Sequence, residues 1–225
     1  MSDQTADELL RALLTRRGPD APRAGWKVAL NVPSVQRRLG LSRSLAAPLF
    51  QLALQENGTA LALPADSAVH VEAELALRLK CDVSAPKTSA ELRPLVDSYA
   101  PCLELVDYNK PRGDLEAMFA HSFFHAGLVL GDWQAADVFE PLRPDYPNAT
   151  DSRGKPYARQ TDTVPEDVLE ALSVLVDRVL AAGATLRASE IVICGSYIEP
   201  VPLPVGASVR VSYGLTHAPL SVSRV

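Results

Sequence analysis

The most regular pattern in the chain is the alternation of apolar and polar side chains over residues 69–80. A period of two is typical of a strand that buries one face and leaves the other polar. The apolar parity consists of Val69, Val71, Ala73, Leu75, Leu77 and Leu79, and the polar parity includes His70, Glu72, Glu74, Arg78 and Lys80. The pattern predicts a long strand on which Glu72 and Glu74 point the same way, with Cα atoms about 7 Å apart.

Apolar side chains at helical spacing occur in two longer segments. Residues 1–17 predict an amphipathic N-terminal helix, and residues 165–182, which end before Gly183, predict the clearest helix of the chain. Shorter helices are predicted over residues 32–39, 89–99 and 114–121. A turn or strand pair is predicted at Asn57-Gly58, and further strands are predicted over residues 25–30, 102–107, 126–130, 191–194, 208–213 and 220–225. Helices are thus peripheral, and strands dominate the middle and the end.

One segment without a clear period is long enough to attract interest. Residues 141–163 are rich in proline, aspartate, asparagine and glycine, which predicts a long loop with short strands. Loops of this length in compact domains usually have a function, so the segment is a candidate lid.

Size and composition describe one globular domain over residues 1–225. The net charge is −5 and the 22 Lys and Arg residues are scattered, so nucleic acid is not expected as a partner. No apolar run approaches the roughly 20 residues of a membrane span, and residues 1–17 do not resemble a signal peptide. A cytoplasmic protein without a membrane partner is therefore expected. The cysteines lack paired spacing and are interpreted as buried free thiols: Cys81, Cys102 and Cys194.

A third glutamate changes the interpretation of the first two. Glu104 lies inside the apolar segment 102–107, where an ionised carboxylate without a partner would be costly. If this strand neighbours residues 69–80, Glu104 completes a set of three carboxylates that favours Mg²⁺ or Mn²⁺ over zinc. The alternative is a solvated face on which Glu72 and Glu74 pair with a cation such as Arg78. Asp107 has the opposite parity and is not counted as a ligand.

Several short motifs, taken in order, resemble one enzyme family. The segments Val71-Glu72-Ala73-Glu74-Leu75-Ala76 and Cys102-Leu103-Glu104-Leu105-Val106-Asp107 resemble the fumarylacetoacetate hydrolase superfamily, in particular its 2-keto-4-pentenoate hydratase and 4-oxalocrotonate decarboxylase branch. Gly25-Trp26-Lys27-Val28, the helix segment 35–40, Gly127–Gly131 and Ile193–Ser196 are similar to further motifs of that branch. Each motif is short, but their joint order covers the chain from Gly25 onward.

The resemblance implies a fold, a cofactor and an assembly. The fold would be an α+β mixed β-sandwich roll, like the C-terminal domain of fumarylacetoacetase, with peripheral helices. Glu72, Glu74 and Glu104 would bind Mg²⁺ or Mn²⁺, and the chain would form a homodimer or a larger homo-oligomer.

The resemblance also marks Lys27, His125, Gly195 and Ser196. Lys27 would be an acid or base whose pKa is lowered by burial and by a metal; the alternative is a surface lysine beside a tryptophan. His125 stands where the branch has an N-A-S segment, and is either a catalytic base or a core histidine. Ser196, with Gly195, would contact the substrate carboxylate, although Gly-Ser pairs also mark ordinary turns. His70 shares the glutamates' face and is expected at the rim or behind the metal ligands.

The implied reaction is metal-assisted chemistry on a small 2-oxo acid, which passes through an enolate stabilised by the cation. A hydratase-like hydro-lyase is the first hypothesis, and decarboxylation or carbon–carbon bond hydrolysis are alternatives. The aspartate that close hydratases carry after an L-F segment is missing, because Gln51 and Leu52 follow Leu49-Phe50 here. A catalytically silent partner subunit is therefore a further alternative.

Overall fold

The computed structural model describes residues 2–18, 22–64, 66–110, 114–136, 148–151, 153–160, 162, 167–214 and 218–225. Within them, a large mixed sheet has the order β2-β1-β10-β5-β6-β7-β3, with β11 paired to β5 and β8 paired to β6. Its strands are β1 (Gly25–Ala29), β2 (Leu45–Leu49), β3 (Leu54–Gln55), β5 (Val69–Leu79), β6 (Val96–Asp107), β7 (His125–Leu130), β8 (Gln134–Ala135), β10 (Ile191–Ile193) and β11 (Val201–Pro202). The pairs β1–β10 and β3–β7 are parallel, and the other pairs are antiparallel.

A second sheet has the order β4-β13-β12-β9. Its strands are β4 (Ala60–Leu61), β9 (Asn148–Asp151), β12 (Ser208–Ser212) and β13 (Leu220–Arg224). Helices surround the sheets: α1 (Asp3–Arg17), α2 (Pro33–Leu39), α3 (Ser89–Leu92), α4 (Leu115–Ala120) and α5 (Val168–Ala181). The predicted α+β class is confirmed. Among the described helices, none combines the length and the apolar character that crossing a membrane requires.

The apolar parity of β5 faces the main core. Its six apolar side chains from Val69 to Leu79 are buried, and they belong to the same cluster as the apolar stripe of α5, which packs on β1 and β2. Helix α5 begins after Asp167, whose side chain accepts hydrogen bonds from the N–H groups of Leu169 and Glu170. Because one parity of β5 is used by the core, the other parity, with Glu72 and Glu74, is free to build a site on the opposite face.

One predicted element was wrong, one was confirmed as a turn with unexpected strand partners, and one strand was missed. The helix predicted over residues 89–99 ends at Leu92, continues as a 3₁₀ turn over Arg93–Leu95 and becomes strand β6 at Val96. Pro94 cannot donate a helical hydrogen bond, and pairing with β5 outweighs the helical spacing of the leucines. The Asn57-Gly58 turn exists, but its flanking strands β3 and β4 join different sheets. Strand β2 was missed because it contains Pro48, which is tolerated because β2 lies at the sheet edge.

Two further predictions have mixed outcomes. Cys102 and Cys194 are buried free thiols as expected, but Cys81 is exposed because it lies in the bend that follows β5. The candidate lid over residues 141–163 contains β9, but residues 141–147, 152, 161 and 163 lie outside the described residues. Its role as a lid stays a prediction.

Candidate metal centre

Strand register brings the three predicted glutamates together. In the antiparallel pair of β5 and β6, Glu72 lies directly opposite Glu104, so both side chains leave the same face of the sheet. Glu74 follows two residues after Glu72 on that face. One carboxylate oxygen from each of the three residues lies within 4.8 Å of the other two. Glu74 and Glu104 are buried, and Glu72 is partly buried, so the alternative of a solvated surface pair does not describe this cluster.

Lys27 supplies one positive charge to this cluster. Its partner in register on β10 is Ile193, which pairs in turn with Ala76 of β5, so Lys27 lies on the same face as the glutamates. Its Nζ donates to Glu104 Oε1 at 2.5 Å and to Oε2 at 2.7 Å, and it lies 3.4 Å from the carbonyl oxygen of Phe123. The side chain is buried, so the alternative of a surface lysine is excluded.

Burial and mutual repulsion alter the pKa values of the carboxylates. Burial, followed by the charge of Glu104, raises the pKa of Glu72 to about 7 and raises the pKa of Glu74 well above its usual range. Burial acts in the same direction on Glu104, but Lys27 and His125 outweigh it and lower the pKa of that carboxyl group. In the metal-free chain, Glu72 and Glu74 thus have too little positive charge nearby to offset burial and repulsion.

The expected lowering of the pKa of Lys27 is wrong for the metal-free chain. Burial does act to lower it, but the charges of Glu104, Glu72 and Glu74 together outweigh burial and raise the pKa of Lys27. Lys27 is therefore an ammonium group, which is a proton donor.

His125 lies behind Glu104. Its Nδ1 is 2.8 Å from Glu104 Oε1, and its Nε2 is 3.2 Å from the carbonyl oxygen of Leu52. The residues that line the neighbouring cleft include Lys27 but not His125. The histidine thus contacts the carboxylate cluster from the protein side, as an orienting group does. Its proposed role as a base that reaches substrate receives no support from this position.

A cleft of about 470 Å³ opens over the carboxylates, which is within the range of small-molecule sites. Lys27, Glu72 and Glu74 contribute to its lining, and much of the remaining wall is apolar. Helix α2 contributes Arg38, which is exposed and therefore lies at the mouth of the cleft. The cleft combines an anionic floor with apolar walls and one guanidinium group near solvent.

Gly195 and Ser196 line the cleft, as predicted for neighbours of the site. The hydrogen bonds described for them are made with other residues of the protein. The N–H of Gly195 donates to Glu74 Oε2 at 2.7 Å. Its φ of +98° favours glycine, and a Cβ here would lie 2.5 Å from Nδ2 of Asn31. The hydroxyl of Ser196 donates to the carbonyl oxygen of Ile198, which is ordinary turn chemistry. Contact of either residue with a substrate carboxylate stays a prediction.

The sequence interpretation missed Tyr108 and the turn that supports it. Tyr108 lines the cleft and donates its hydroxyl to Glu72 Oε1 at 3.2 Å. The signal was weak, since Tyr108 is the first residue after β6, two positions beyond Val106 and four beyond Glu104. Before β7, the three residues 122–124 have positive φ values of 49°, 49° and 72°. Such backbone costs about 1–3 kcal/mol per residue and is concentrated at functional sites.

Two polar side chains lie where the parity of their strands predicts. His70 packs against the Tyr108 ring at a centroid distance of 4.7 Å, and thus lies behind Glu72. Asp107 accepts hydrogen bonds from the N–H groups of Ala68 and Asn109 and is not part of the carboxylate cluster.

The predicted α+β fold is confirmed, because this architecture matches solved enzyme structures over most of the chain. A 4-oxalocrotonate decarboxylase from Pseudomonas putida G7, complexed with calcium and acetate, is 16% identical and has a TM-score of 0.78; the match covers 100% of this chain and 86% of that one. The same decarboxylase complexed with magnesium and adipate gives a TM-score of 0.76 at 16% identity, over 96% and 82% of the two chains.

An isomerase gives a weaker match. The 5-carboxymethyl-2-hydroxymuconate delta-isomerase from Mycobacterium smegmatis is 20% identical, with a TM-score of 0.61 over 91% of this chain and 78% of that one. No protein-family model matches the sequence, and no curated protein matches it either. At these identities the structural likeness establishes the fold, and the reaction has to be argued from the site.

Proposed function

We propose that this chain is a divalent-metal-dependent enzyme acting on a small 2-oxo acid. The observation that carries the proposal is the convergence of Glu72, Glu74 and Glu104 with Lys27, at a cleft that Lys27, Glu72 and Glu74 line. Three carboxylates whose oxygens lie within 4.8 Å of one another fit a hard divalent cation, with Mg²⁺ or Mn²⁺ as the candidates. The raised pKa values of Glu72 and Glu74 are in line with missing positive charge.

When bound, such a cation would supply a Lewis acid for the carboxylate and keto oxygens of the substrate. The chain's own residues would orient the metal-binding carboxylates and donate a proton to the substrate. Gly195 and His125 hold Glu74 and Glu104 in place through the hydrogen bonds described above. Lys27 faces the cleft as the candidate proton donor, and much of the remaining cleft wall is apolar.

This arrangement favours decarboxylation over hydration. Loss of a carboxylate that lies beta to the keto group, as CO₂, leaves an electron pair that passes into the 2-oxo group to give an enolate. The enolate carbon then takes a proton, which Lys27 can donate. Addition of water needs a base. Among the described cleft residues Glu72 and Glu74 are assigned to the cation and Lys27 to proton donation, and the hydratase aspartate is missing beside Gln51. The likeness to 4-oxalocrotonate decarboxylase agrees with this choice.

A hydratase-like hydro-lyase is the second candidate, because the motifs resemble the hydratases as well as the decarboxylases. The two are separated by substrate: oxaloacetate for decarboxylation, and a 2-hydroxydienoate for hydration. Metal-stripped protein is assayed with each compound, with and without added Mg²⁺, and Mg²⁺ without protein serves as the control. Metal-dependent release of CO₂ supports the proposal. Binding of 2-oxo acids without any metal-dependent turnover would instead support a catalytically silent subunit.

Location of the metal is tested separately, in crystals soaked with Mn²⁺ and oxalate. An anomalous peak between Glu72, Glu74 and Glu104 supports the site, and a peak elsewhere would contradict it. Assembly as a homodimer or larger homo-oligomer, a single domain and a cytoplasmic location stay predictions from the sequence.

Metal binding is expected to depend on pH, because protons compete with the cation for Glu72. Affinity for Mg²⁺ should fall as pH drops below about 7, by about tenfold per pH unit for each carboxylate that must lose a proton. The pKa of Glu72 is raised in the folded chain, so the metal-free chain loses stability as pH rises through about 7. Thermal unfolding should therefore show greater stabilisation by Mg²⁺ at about pH 8 than at about pH 5.5. Equal stabilisation at both pH values would contradict the proposed ligand set.

Arg38 is proposed to bind a second carboxylate of the substrate at the cleft mouth. The adipate bound by the 4-oxalocrotonate decarboxylase is a dicarboxylate, which is the ligand class that this arrangement suits. Arg38→Gln is expected to raise KM for a dicarboxylic 2-oxo acid by about tenfold or more, because a hydrogen bond to a charged group is lost. KM for a monocarboxylic 2-oxo acid should change little. Arg37→Gln, on the same helix but not lining the cleft, is the matched control.

A further inference from the structure

Each carboxylate of the cluster has its own hydrogen-bond donor. Glu104 is held by Lys27 and faces His125, and Glu74 is held by the N–H of Gly195. Glu72 is held by the hydroxyl of Tyr108 at 3.2 Å. Of the three glutamates Glu72 is the one that is only partly buried, so its side chain has the most freedom to rotate towards solvent. A donor that fixes its orientation would therefore have the largest effect there.

The Tyr108 hydroxyl is itself held in place by its surroundings. The phenol ring lies 4.7 Å from the His70 ring and 5.5 Å from the Phe124 ring, which meets it edge-on. Phe124 has a φ of +72° and ends the turn of positive φ described above, so strained backbone presents this ring. The Tyr108 N–H also donates to the carbonyl oxygen of Ala68 at 3.1 Å. The tyrosine side chain is thus fixed before any ligand binds.

We propose that Tyr108 is a positioning residue for the cation site, acting through Glu72. Its hydrogen bond occupies one oxygen of Glu72, fixes the rotation of the carboxylate and leaves the other oxygen directed at the cluster. Donors behind metal ligands act in this way, and their loss typically costs tenfold to a hundredfold in metal affinity. The inference rests on the proposed function, because it requires that Glu72 bind the cation.

The competing explanation is that Tyr108 only fills space between His70 and Phe124. Phenylalanine would serve that purpose equally well, so the variant Tyr108→Phe separates the two explanations. A matched control exists on β6, the strand that Tyr108 directly follows: the hydroxyl of Tyr99 donates to Gln134 Oε1 at 2.9 Å, and Tyr99 does not line the cleft. Tyr99→Phe removes the same group from β6 without touching Glu72.

In the test, each metal-stripped protein is titrated with Mn²⁺, and the EPR signal of free Mn²⁺ measures how much of the ion is bound. Thermal unfolding is measured in parallel. Tyr108→Phe is expected to bind Mn²⁺ about tenfold to a hundredfold more weakly than wild type, with an altered EPR spectrum of the bound ion. Tyr99→Phe is expected to retain wild-type affinity. Phe124→Leu, which keeps the hydroxyl but loosens the ring, is expected to weaken binding by less than Tyr108→Phe does.

The outcomes separate the positioning role from the metal site itself. If wild type binds Mn²⁺ and folded Tyr108→Phe binds it equally tightly, the positioning role is overturned while the metal site stands. If Tyr108→Phe does not fold, Phe124→Leu decides, and its wild-type affinity would overturn the role. If wild type itself binds no Mn²⁺, the proposed function fails, and the inference fails with it.

Discussion

Replacing Glu104 with glutamine is expected to weaken Mn²⁺ binding by more than about a hundredfold and to reduce turnover to the metal-free level. A ligand should matter more than an orienting group, whose loss already costs about tenfold to a hundredfold. Glu104 lies opposite Glu72 in register and has both oxygens within 2.7 Å of Lys27 Nζ. Its loss removes one of three anionic ligands while the amide keeps the size of the side chain.

The folded state should tolerate this change. Removal of one partner from a buried ion pair usually costs about 3–5 kcal/mol, because the other charge is left alone. Here Glu72 and Glu74 remain, and the charges of both act on Lys27. Their own pKa values are raised in part by the charge of Glu104, so its removal relieves repulsion. We therefore expect the variant to fold with a smaller loss of stability than this range.

Glu190→Gln is the matched control, since Glu190 is equally buried but bonds to Arg23 and Trp26 instead. It should lower stability and leave Mn²⁺ affinity unchanged. Isothermal titration with Mn²⁺ and urea unfolding measure both properties on the same samples. Wild-type affinity in Glu104→Gln would exclude the residue as a ligand.

Arg178→Met is expected to destabilise the chain by about 3–5 kcal/mol, a large part of the roughly 5–15 kcal/mol that holds a domain folded. Arg178 on α5 is fully buried. Its guanidinium donates to both carboxylate oxygens of Asp7 at 3.1 Å and lies 3.2 Å from a carboxylate oxygen of Asp3, both on α1. It also donates to the carbonyl oxygen of Ser44 at 3.0 Å. Methionine fills a similar volume but removes these donors and leaves the Asp7 carboxylate without its guanidinium partner.

The loss of stability in Arg178→Met should appear first in helix α1 and only then in the whole fold. Because Arg178 joins α1 to α5, the amides of α1 should exchange faster with solvent in the variant than those of β5 and β6. Arg210→Met, at an exposed position on β12, is the control and should change the free energy of unfolding by less than about 0.5 kcal/mol. A loss of stability no greater than that of the control would show that the buried guanidinium contributes little.

The sequence predicted the site better than it predicted the elements around it. Glu72 and Glu74 follow from alternation within one strand, and the cost of burying a charge marked Glu104 without any knowledge of the fold. Helix formation over residues 89–99 was wrong because pairing with a neighbouring strand outweighs local helix propensity. The two strands beside Asn57-Gly58 were correctly placed near the turn, but their partners are distant in the chain.

By itself the sequence determined which face of β5 is charged and that Glu104 needs a partner, since periodicity and the cost of buried charge act locally. Lys27 was marked by its resemblance to a family motif. Only the tertiary structure decided the direction of the pKa shift at Lys27, the place of His125 behind Glu104, and the contact of Tyr108 with Glu72. Each of these depends on register between strands and on distances between residues far apart in the chain. Such distances are set by packing of the whole core, and no local pattern in the sequence contains them.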